Sequence, residues 1–576
     1  MRRPTPILLR AAAGTLLALA APAAGQVVSP YTGQNAPVEV CFAAGTDPAY
    51  VEAMTNLVRL QNQVFGATDY HTGSRWPGTN GMPISLTWSF VPDGLLITSG
   101  GEPTSPSELF AKMDTAFAGQ GGRAVWISRF QQVFNRWSEV TGVTYTRITF
   151  GGNDWDDGAA WGQAFQAGRR GDIRISMHSI DGPFGILGYN FFPTSGDMVL
   201  DSDDIAHYAD PGGQNVEFRN TVAHEHGHGL GLSHTCSNNS HILMEPLQNT
   251  GYDGPQQDDI RGVQFFYGDR FENNNTAATA TPIGVVTPGA TVSFGTITLP
   301  PANTPVPGAA LLSIDSTGKF DWFSFTVNNL PAAITVTPVG TTYDNSAQAG
   351  GCPGSPTNFN ALAVANLSVQ VYSNNGATLL GTASAAPAGS PDTLTLPILA
   401  AGTYHARVSS TNTHTQPQLY RLSLACPTPT ITQQPTAQAT EANATVTFQA
   451  AAGGAQIYRW RRNGLNLVEG GNISGSNTPT LRISPVKMGD AGNYSISATN
   501  GCGNTISTSV ALTVSCAPNC DESTTPPILN VADFSCFLNR FAANDPWANC
   551  DGSSGFPTHN ILDMICFINK FAAGCP

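Results

Sequence analysis

The sequence has few charged residues, and among them basic residues are in deficit. Only 11% of its 576 residues are charged, with 26 Lys and Arg against 40 Asp and Glu, and the formal net charge is −14. This deficit argues against nucleic acid or an anionic membrane surface as the main partner. Gly (60) and Pro (41) are abundant, which predicts mostly short β-strands. The length is too great for a single core, so several domains are expected.

Beyond its N-terminus the sequence also lacks an apolar run long enough to span a bilayer. The N-terminus itself has Arg2 and Arg3, then an apolar run that ends in small residues near Ala23. This pattern is typical of a secretory signal peptide, here residues 1–25. A membrane anchor is the alternative, but the run is short and contains Arg10. We therefore expect a secreted protein, extracellular or attached to a cell surface, with no transmembrane helix in its mature form.

Cysteines are concentrated at the C-terminal end. Of eleven, six fall in the last 61 residues, namely Cys516, Cys520, Cys536, Cys550, Cys566 and Cys575. In an exported protein this density predicts a small module held by disulfides. The odd total leaves at least one thiol unpaired or paired between chains.

One stretch, HEHGHGLGLSH, holds four histidines and a glutamate. His224 and His228 are four residues apart and would share one face of a helix. Gly231 can adopt a positive φ and end that helix, so that the chain turns and brings in His234. Three protein ligands leave a fourth position for water, which is the arrangement of a catalytic zinc. Glu225, beside the first ligand, is placed to take a proton from that water. His226 lies on another face and is interpreted as a solvent-facing or supporting residue.

The spacing H-E-x-x-H-x-x-G-x-x-H is the metzincin signature, and this stretch closely resembles the zinc-binding helix of the matrixins. Met244 stands where that family places a methionine turn, and QQDDIRGVQFFYG resembles its closing helix. The resemblance implies an α+β zinc metalloprotease domain over residues 83–268, after an N-terminal extension of residues 26–82. It also implies that Glu225 is the general base and that Met244 forms an apolar floor without binding the metal.

The resemblance extends to a calcium loop but not to two other family features. Asp181, Gly182, Asp201 and Asp204 match the calcium-binding segment. Tyr189 and Val199 stand where family members carry structural-zinc histidines, so we expect one zinc only. Cys41 lies outside the family's PRCGxPD motif. A thiolate bound to zinc is conceivable for it, and a disulfide between Cys41 and Cys236 is the preferred hypothesis.

Two β-rich regions follow. Residues 269–426 resemble the bacterial pre-peptidase C-terminal domain, with a D-W-F-S-F strand and an A-G-T-Y-H-A-R-V strand. Residues 427–515 resemble an immunoglobulin-like domain, with Trp460 in the place of its buried tryptophan and Tyr494 in that of its tyrosine corner. Ala450 and Ile496 occupy the positions of the usual disulfide. Both regions are expected to be all-β sandwiches.

The last region, residues 516–576, is a thirty-residue repeat in which NCDESTTPPILNVADFSCFLNRFAA is followed by NCDGSSGFPTHNILDMICFINKFAA. Each copy predicts an acidic loop and a short helix, and the pair resembles dockerin modules that end in Gly-Cys. The resemblance implies calcium ligands among the residues Asp521, Asn530, Asp533, Asp551, Asn560 and Asp563. The loop spacing fits loosely, and a disulfide-held knob without metal is an equal alternative.

Together these features predict a multidomain, secreted, zinc-dependent endopeptidase that acts on protein or peptide substrates and is positioned by its C-terminal domains. The cofactors expected are one catalytic zinc and calcium. The partners expected are the substrate and a cell-surface or cohesin-like anchor, not nucleic acid. The alternative is an anchored adhesion or binding protein with an inactive protease-like domain.

Overall fold

The computed structural model describes residues 38–62, 74–98, 103–236, 242–299, 304–344, 346–347, 358–523, 527–554 and 557–574. The predicted signal peptide lies outside these residues. No helix among the described residues has the length and apolar character needed to cross a membrane.

A six-stranded sheet forms the frame of the N-terminal domain. Its strands are β1 (Val38–Phe42), β2 (Ile84–Phe90), β3 (Val143–Arg147), β4 (Ile173–His178), β5 (Ile186–Phe191) and β6 (Met198–Asp201). They lie in the order β1-β5-β6-β4-β2-β3, and β5 is antiparallel to both of its neighbours while the other pairs are parallel. A short pair, Leu96–Ile97 with Ser105–Pro106, lies outside this sheet. The sequence placed β1 in the N-terminal extension, whereas the structure adds it to the edge of the sheet.

Six helices accompany this sheet: α1 (Pro48–Asn62), α2 (Leu109–Ala116), α3 (Arg123–Val140), α4 (Ile205–Tyr208), α5 (Val216–Gly229) and α6 (Gln257–Tyr267). The aromatic residues of α3 recur at helical spacing, and Trp126, Phe130, Phe134 and Trp137 are all fully buried. Phe134 stacks on Trp88 of β2 at 4.6 Å between ring centroids. The aromatic side chains of α3 therefore pack against the sheet and hold α3 in place beside α5.

Two further sheets form a sandwich after α6, as predicted. The first contains Thr281–Val285, Asp321–Val327, Gly402–Ser410, Leu367–Tyr372 and Leu379–Ala383, and the second contains Thr291–Phe294, Gln418–Ala425, Leu330–Pro338, Asp392–Leu399 and Leu312–Ile314. Three small pairs lie beside them: Thr296–Leu299 with Thr304–Ala310, Thr342–Asp344 with Asn358–Asn360, and Ser346–Ala347 with Thr235–Cys236.

The next region is a second sandwich built around Trp460, which is fully buried. One sheet contains Gln438–Glu441, Val510–Ser515, Gly492–Asn500, Ile457–Arg462, Leu465–Asn466 and Gly503–Ile506, and the other contains Val446–Gln449, Thr480–Ile483 and Ile473–Ser474, with Thr430–Gln433 and Ala451–Gly453 as a separate pair. The Tyr494 hydroxyl donates to the Asp490 carbonyl at 2.6 Å, which confirms the predicted tyrosine corner. Ala450 and Ile496 lie buried in this core, where they occupy the space of the missing bridge.

The C-terminal repeat forms two helices, α7 (Val531–Ala542) and α8 (Ile561–Ala573). The disulfides Cys520–Cys536 and Cys550–Cys566 link each helix to the loop before it. Phe537 and Phe567, at equivalent positions, stack at 4.0 Å between centroids. The repeat thus contains two disulfide-linked helical units. A further disulfide, Cys426–Cys502, joins the end of the first sandwich to the second and has no counterpart among the sequence predictions.

Candidate metal centre

Helix α5 carries the first two histidines of the motif. His224 and His228 are one turn apart on its buried face, and the helix ends at Gly229. Gly231 has φ +106°, and a Cβ there would lie 2.1 Å from the carbonyl oxygen of Ser74. Glycine is therefore required both by the backbone conformation and by the close approach. The turn returns the chain so that His234 faces the other two histidines.

The three imidazoles converge through their Nε2 atoms. These atoms lie 3.1 Å apart for His224 and His228, 3.1 Å for His224 and His234, and 3.2 Å for His228 and His234. Nitrogens bound to a tetrahedral zinc at about 2.0–2.1 Å would be roughly 3.3 Å apart. The spacing thus fits one zinc ion.

The hydrogen bonds of the Nδ1 atoms determine the tautomers of His224 and His228. The Nδ1–H group of His224 donates to the Leu243 carbonyl at 2.6 Å, and that of His228 donates to the Leu232 carbonyl at 2.7 Å. Burial lowers the pKa of His224 to about 4 and holds that of His228 well below its usual range. Both rings are therefore neutral with the Nε2 lone pair directed inward, which is the form that binds zinc.

Glu225 lies beside these ligands in a fully buried position. Burial raises the pKa of Glu225 well above its usual value, and the backbone N–H of Cys41 in β1 opposes that rise. No other group among the described residues satisfies its carboxylate oxygens. The side chain of Glu225 lies against β5, since a Cβ on Gly188 would be in ordinary contact with its Cγ at 3.5 Å. An unsatisfied buried carboxylate is costly and is typical of a group kept for chemistry.

Met244 is buried next to α5, and a Cβ on Gly227 would lie 2.4 Å from its sulfur. Its turn is held from α6, because Asp259 accepts hydrogen bonds from the backbone N–H groups of Leu243 (2.8 Å) and Met244 (3.1 Å). The sequence analysis predicted helix α6 but did not predict that Asp259 holds the Met244 turn. The sequence feature that could have indicated this role is the pair of acidic residues, Asp258 and Asp259, in the first turn of α6.

Comparison with known proteins identifies this region. Residues 120–268 match the family model described as matrixin. This part of the chain is therefore similar to a matrixin domain. The same comparison matches residues 428–500 to an immunoglobulin domain.

The matrixin domain resembles curated proteins over a limited length. It is 34% identical to mouse stromelysin-3 over 144 residues, which cover 23% of this chain and 25% of that protein. It is 35% identical to horse stromelysin-1 over 149 residues, covering 24% and 28%. It is 31% identical to metalloendoproteinase 2-MMP of Arabidopsis thaliana over 161 residues, covering 26% and 39%. The chain thus spans about a quarter to two fifths of these relatives. Among solved structures, the titin M3 domain is similar to 15% of this chain at 25% identity, with a TM-score of 0.14.

Strand β1 covers the histidines of the matrixin domain. On one side it pairs antiparallel with β5, and on the other Phe42 forms a parallel bridge with Leu247. The Phe42 N–H donates to the Pro246 carbonyl at 2.9 Å, and the Gln248 N–H donates to the Phe42 carbonyl at 3.0 Å. The strand is therefore held between the sheet edge and the segment after Met244.

Cys41 of this strand is buried and unpaired. The predicted Cys41–Cys236 disulfide is wrong, since the strand pairing directs Cys41 toward α5 instead. Ligand atoms of Cys41, His224 and Glu225 lie within 4.8 Å of one another. Burial, and then the nearby Glu225 charge, raise the pKa of this thiol well above its usual value.

His226 is not at the surface of the protein. It is fully buried, and its Nε2 lies 2.5 Å from the Tyr145 hydroxyl of β3. Its ring also packs on Phe134 and Trp137 of α3. Burial lowers its pKa to about 3. The solvent-facing interpretation is therefore wrong, and His226 joins α5 to the core.

The predicted calcium residues surround the loop before β5. Asp181 accepts from the Ile186 N–H, Asp201 from the Ile180 and Asp181 N–H groups, and Asp204 from the Phe184 N–H. Gly182 has φ +93° within this loop. Burial raises the pKa of Asp201 to about 7 and that of Asp204 to about 6. Among the described residues the three carboxylates do not form a set with ligand atoms within 4.8 Å, and calcium there stays a prediction.

Tyr189 and Val199, at the positions of the expected second-zinc histidines, belong to a buried apolar cluster with Val40 and Phe42 of β1. These side chains thus support the added strand. A single zinc stays a prediction.

In the C-terminal repeat the predicted calcium residues have matching positions. Asp533 accepts from the backbone N–H groups of Asp521 (3.2 Å) and Asn530 (2.8 Å), and Asp563 accepts from those of Asp551 (3.1 Å) and Asn560 (2.8 Å). Asn530 and Asn560 cap the two helices. The structure therefore gives each residue a local structural role, and calcium binding stays a prediction.

Proposed function

We propose that this protein is a secreted, zinc-dependent endopeptidase. The observation that carries the proposal is the convergence of three Nε2 atoms at 3.1–3.2 Å, with the buried carboxylate of Glu225 beside them. His224, His228 and His234 would hold the ion. A zinc ion so bound lowers the pKa of a water molecule and polarises a carbonyl group.

Glu225 would act as the general base. Its carboxylate would take a proton from the attacking water and then deliver it to the leaving amine. Among the described residues only the backbone N–H of Cys41 in β1 approaches this carboxylate, so displacement of β1 would leave the carboxylate free to act. Met244 would contribute an apolar floor that fixes α5, without contacting the substrate.

The position of β1 supports a binding mode for the substrate. An extended peptide taking its place would pair antiparallel with β5 and parallel with residues 246–248, so that its backbone crosses the three histidines. Side chains would then alternate between the two faces of that strand. Because β1 and a substrate would compete for these groups, we propose that residues 38–42 hold the enzyme closed until they are displaced.

The remaining regions would position the enzyme. We propose that residues 269–426 are a pre-peptidase C-terminal-like sandwich, that residues 427–515 act as a spacer or binding domain, and that residues 516–576 are a dockerin-like module that attaches to a cell-surface or cohesin-like partner. These assignments are supported by the two sandwiches and by the repeated disulfide-linked helices.

Zinc analysis together with casein cleavage, with and without a chelator, tests the proposal. We expect one tightly bound zinc per chain and cleavage that is lost on chelation and restored by zinc. The same assay on Glu39→Ala, a variant in which β1 is loosened, shows whether closure by β1 limits cleavage. Zinc binding without cleavage in that variant would favour the alternative, an adhesion protein with an inactive protease-like domain.

A further inference from the structure

A short part of the first sandwich, residues 341–344 and 346–347, lies against the N-terminal domain beside the candidate metal centre. We call it the junction segment. It contacts the N-terminal domain at two places, the first turn of α6 and the two residues after His234. The buried apolar cluster that fills the N-terminal domain also includes Tyr343 of this segment, together with Val339 and Leu419 of the same sandwich. The two parts of the chain therefore share one core.

The first contact joins the junction segment to the start of α6. The Thr341 N–H and hydroxyl groups both donate to the side-chain oxygen of Gln257 at 3.0 Å. The Tyr343 hydroxyl donates to the carboxylate of Asp258 and accepts a hydrogen bond from Arg261 at 2.8 Å. Asp258 and Arg261 are 2% and 0% exposed, so water does not compete for these bonds. Hydrogen bonds to charged groups are among the stronger ones in proteins.

The first turn of α6 is bonded in turn to a candidate zinc ligand. Asp259, which follows Asp258, accepts a hydrogen bond from the Leu243 N–H at 2.8 Å. The Leu243 carbonyl accepts the Nδ1–H of His224 at 2.6 Å. A continuous series of peptide and hydrogen bonds therefore runs from Tyr343 to His224.

The second contact holds the chain just after the third histidine. Thr235–Cys236 pairs antiparallel with Ser346–Ala347 of the junction segment. Thr235 directly follows His234, and its N–H donates to the Met244 carbonyl at 2.8 Å. The junction segment is thus tied both to the turn that orients His224 and to the residues that follow His234.

We propose that the first sandwich is part of the framework of the metal centre and that Tyr343 is a positioning residue for the zinc ligands. This inference rests on the proposed function, because it concerns the same three histidines. Outer hydrogen-bond partners fix the direction of a ligand's lone pair. Without the Tyr343 hydroxyl, α6 and the Met244 turn would be held less firmly beside His224, and the ion would be bound more weakly by unchanged ligands.

The zinc Kd of the folded, full-length chain tests the proposal, measured by competition with a chelator. Tyr343→Phe keeps the buried ring and removes only the hydroxyl, and we expect its zinc Kd to rise by roughly 10-fold. Tyr420→Phe is the matched control, because the Tyr420 hydroxyl also donates to a buried aspartate, Asp321, within the sandwich itself. A purely structural role would lower the stability of both variants without changing either Kd. Equal Kd values for the wild type and Tyr343→Phe would overturn the proposal.

Hydrogen exchange on the metal-free protein supplies a readout that needs neither zinc nor cleavage. In Tyr343→Phe, peptides covering residues 242–248 should exchange roughly 10-fold faster than in the wild type and in Tyr420→Phe. Thr341→Ala, which alters an exposed residue, takes the place of Tyr343→Phe if that variant does not fold, and a smaller change of the same sign is expected. Unchanged exchange in the folded variant would also overturn the proposal.

Peptide cleavage measured on the same samples separates this inference from the proposed function. Weaker zinc binding by Tyr343→Phe in a chain that cleaves no peptide would contradict the endopeptidase function and support the positioning role. Cleavage by the wild type, with the same zinc Kd in Tyr343→Phe, would support the function and overturn the positioning role.

Discussion

The carboxylate of Glu39 in β1 lies 2.8 Å from the backbone nitrogen of His234 and accepts its hydrogen bond. The N-terminal strand is thereby tied directly to the third histidine of the candidate metal centre. The same carboxylate lies 3.4 Å from Nδ1 of His228. Strand β1 is therefore held over the site by polar contacts of Glu39 with His228 and His234, two of the candidate zinc ligands.

Loosening this anchor should open the site. Glu39→Ala removes a hydrogen bond worth about 1 kcal/mol, so the open population should rise roughly fivefold. Cleavage of a fluorogenic peptide should increase by the same factor. The control is Glu52→Ala, on the exposed side of α1. Equal cleavage by the wild type and Glu39→Ala would show that β1 does not limit access.

Replacing Gly231 should damage the turn that delivers His234. Gly231→Ala forces a Cβ to within 2.1 Å of the Ser74 carbonyl, and we expect a loss of about 2 kcal/mol or more in the free energy of unfolding. Urea unfolding measures it. Gly94→Ala is the matched control, because Gly94 has φ +83° with nothing within 4 Å of its Cβ. If both variants lose the same stability, the strain comes from φ alone and not from the contact.

The metal site was more predictable than its surroundings, for a physical reason. Helical spacing places His224 and His228 on one face, and Gly231 marks the turn before His234, so local geometry alone specifies the ligands. Strand β1 was not predicted, because pairing at a sheet edge uses backbone groups that any sequence carries. The burial of His226 was missed because it depends on Tyr145 and α3, which are distant in sequence.

The contact between α6 and the first sandwich was not predicted either, because it also depends on residues that are distant in sequence. Arg261 of α6 is fully buried, and it donates to the Tyr343 hydroxyl at 2.8 Å and to the Gln416 side chain at 2.9 Å. From the sequence alone, Arg261 would be assigned to the surface of the helix, because its partners lie about 80 and 155 positions further along the chain.

Asp197 should make stability depend on pH. Burial raises its pKa to about 7, above the value of about 3.9 in an unfolded chain. The neutral form therefore contributes stability that is fully present below about pH 4 and is lost as the pH rises through 7. Asp197→Asn should reduce the loss of stability between pH 4 and 8 by on the order of 1 kcal/mol or more, as measured by urea unfolding at several pH values. The exposed Asp47→Asn serves as control, and an identical pH profile for wild type and Asp197→Asn would contradict the assignment.

The most direct test of the central claim is peptide cleavage by Glu225→Gln, measured alongside its zinc content and in the Glu39→Ala background so that closure by β1 does not mask the result. Because glutamine preserves shape but cannot take a proton, we expect one zinc per chain to remain while kcat/KM falls by on the order of 100-fold or more. Zinc retention with undiminished cleavage would contradict the role of Glu225, and with it the account of this site as a peptidase centre.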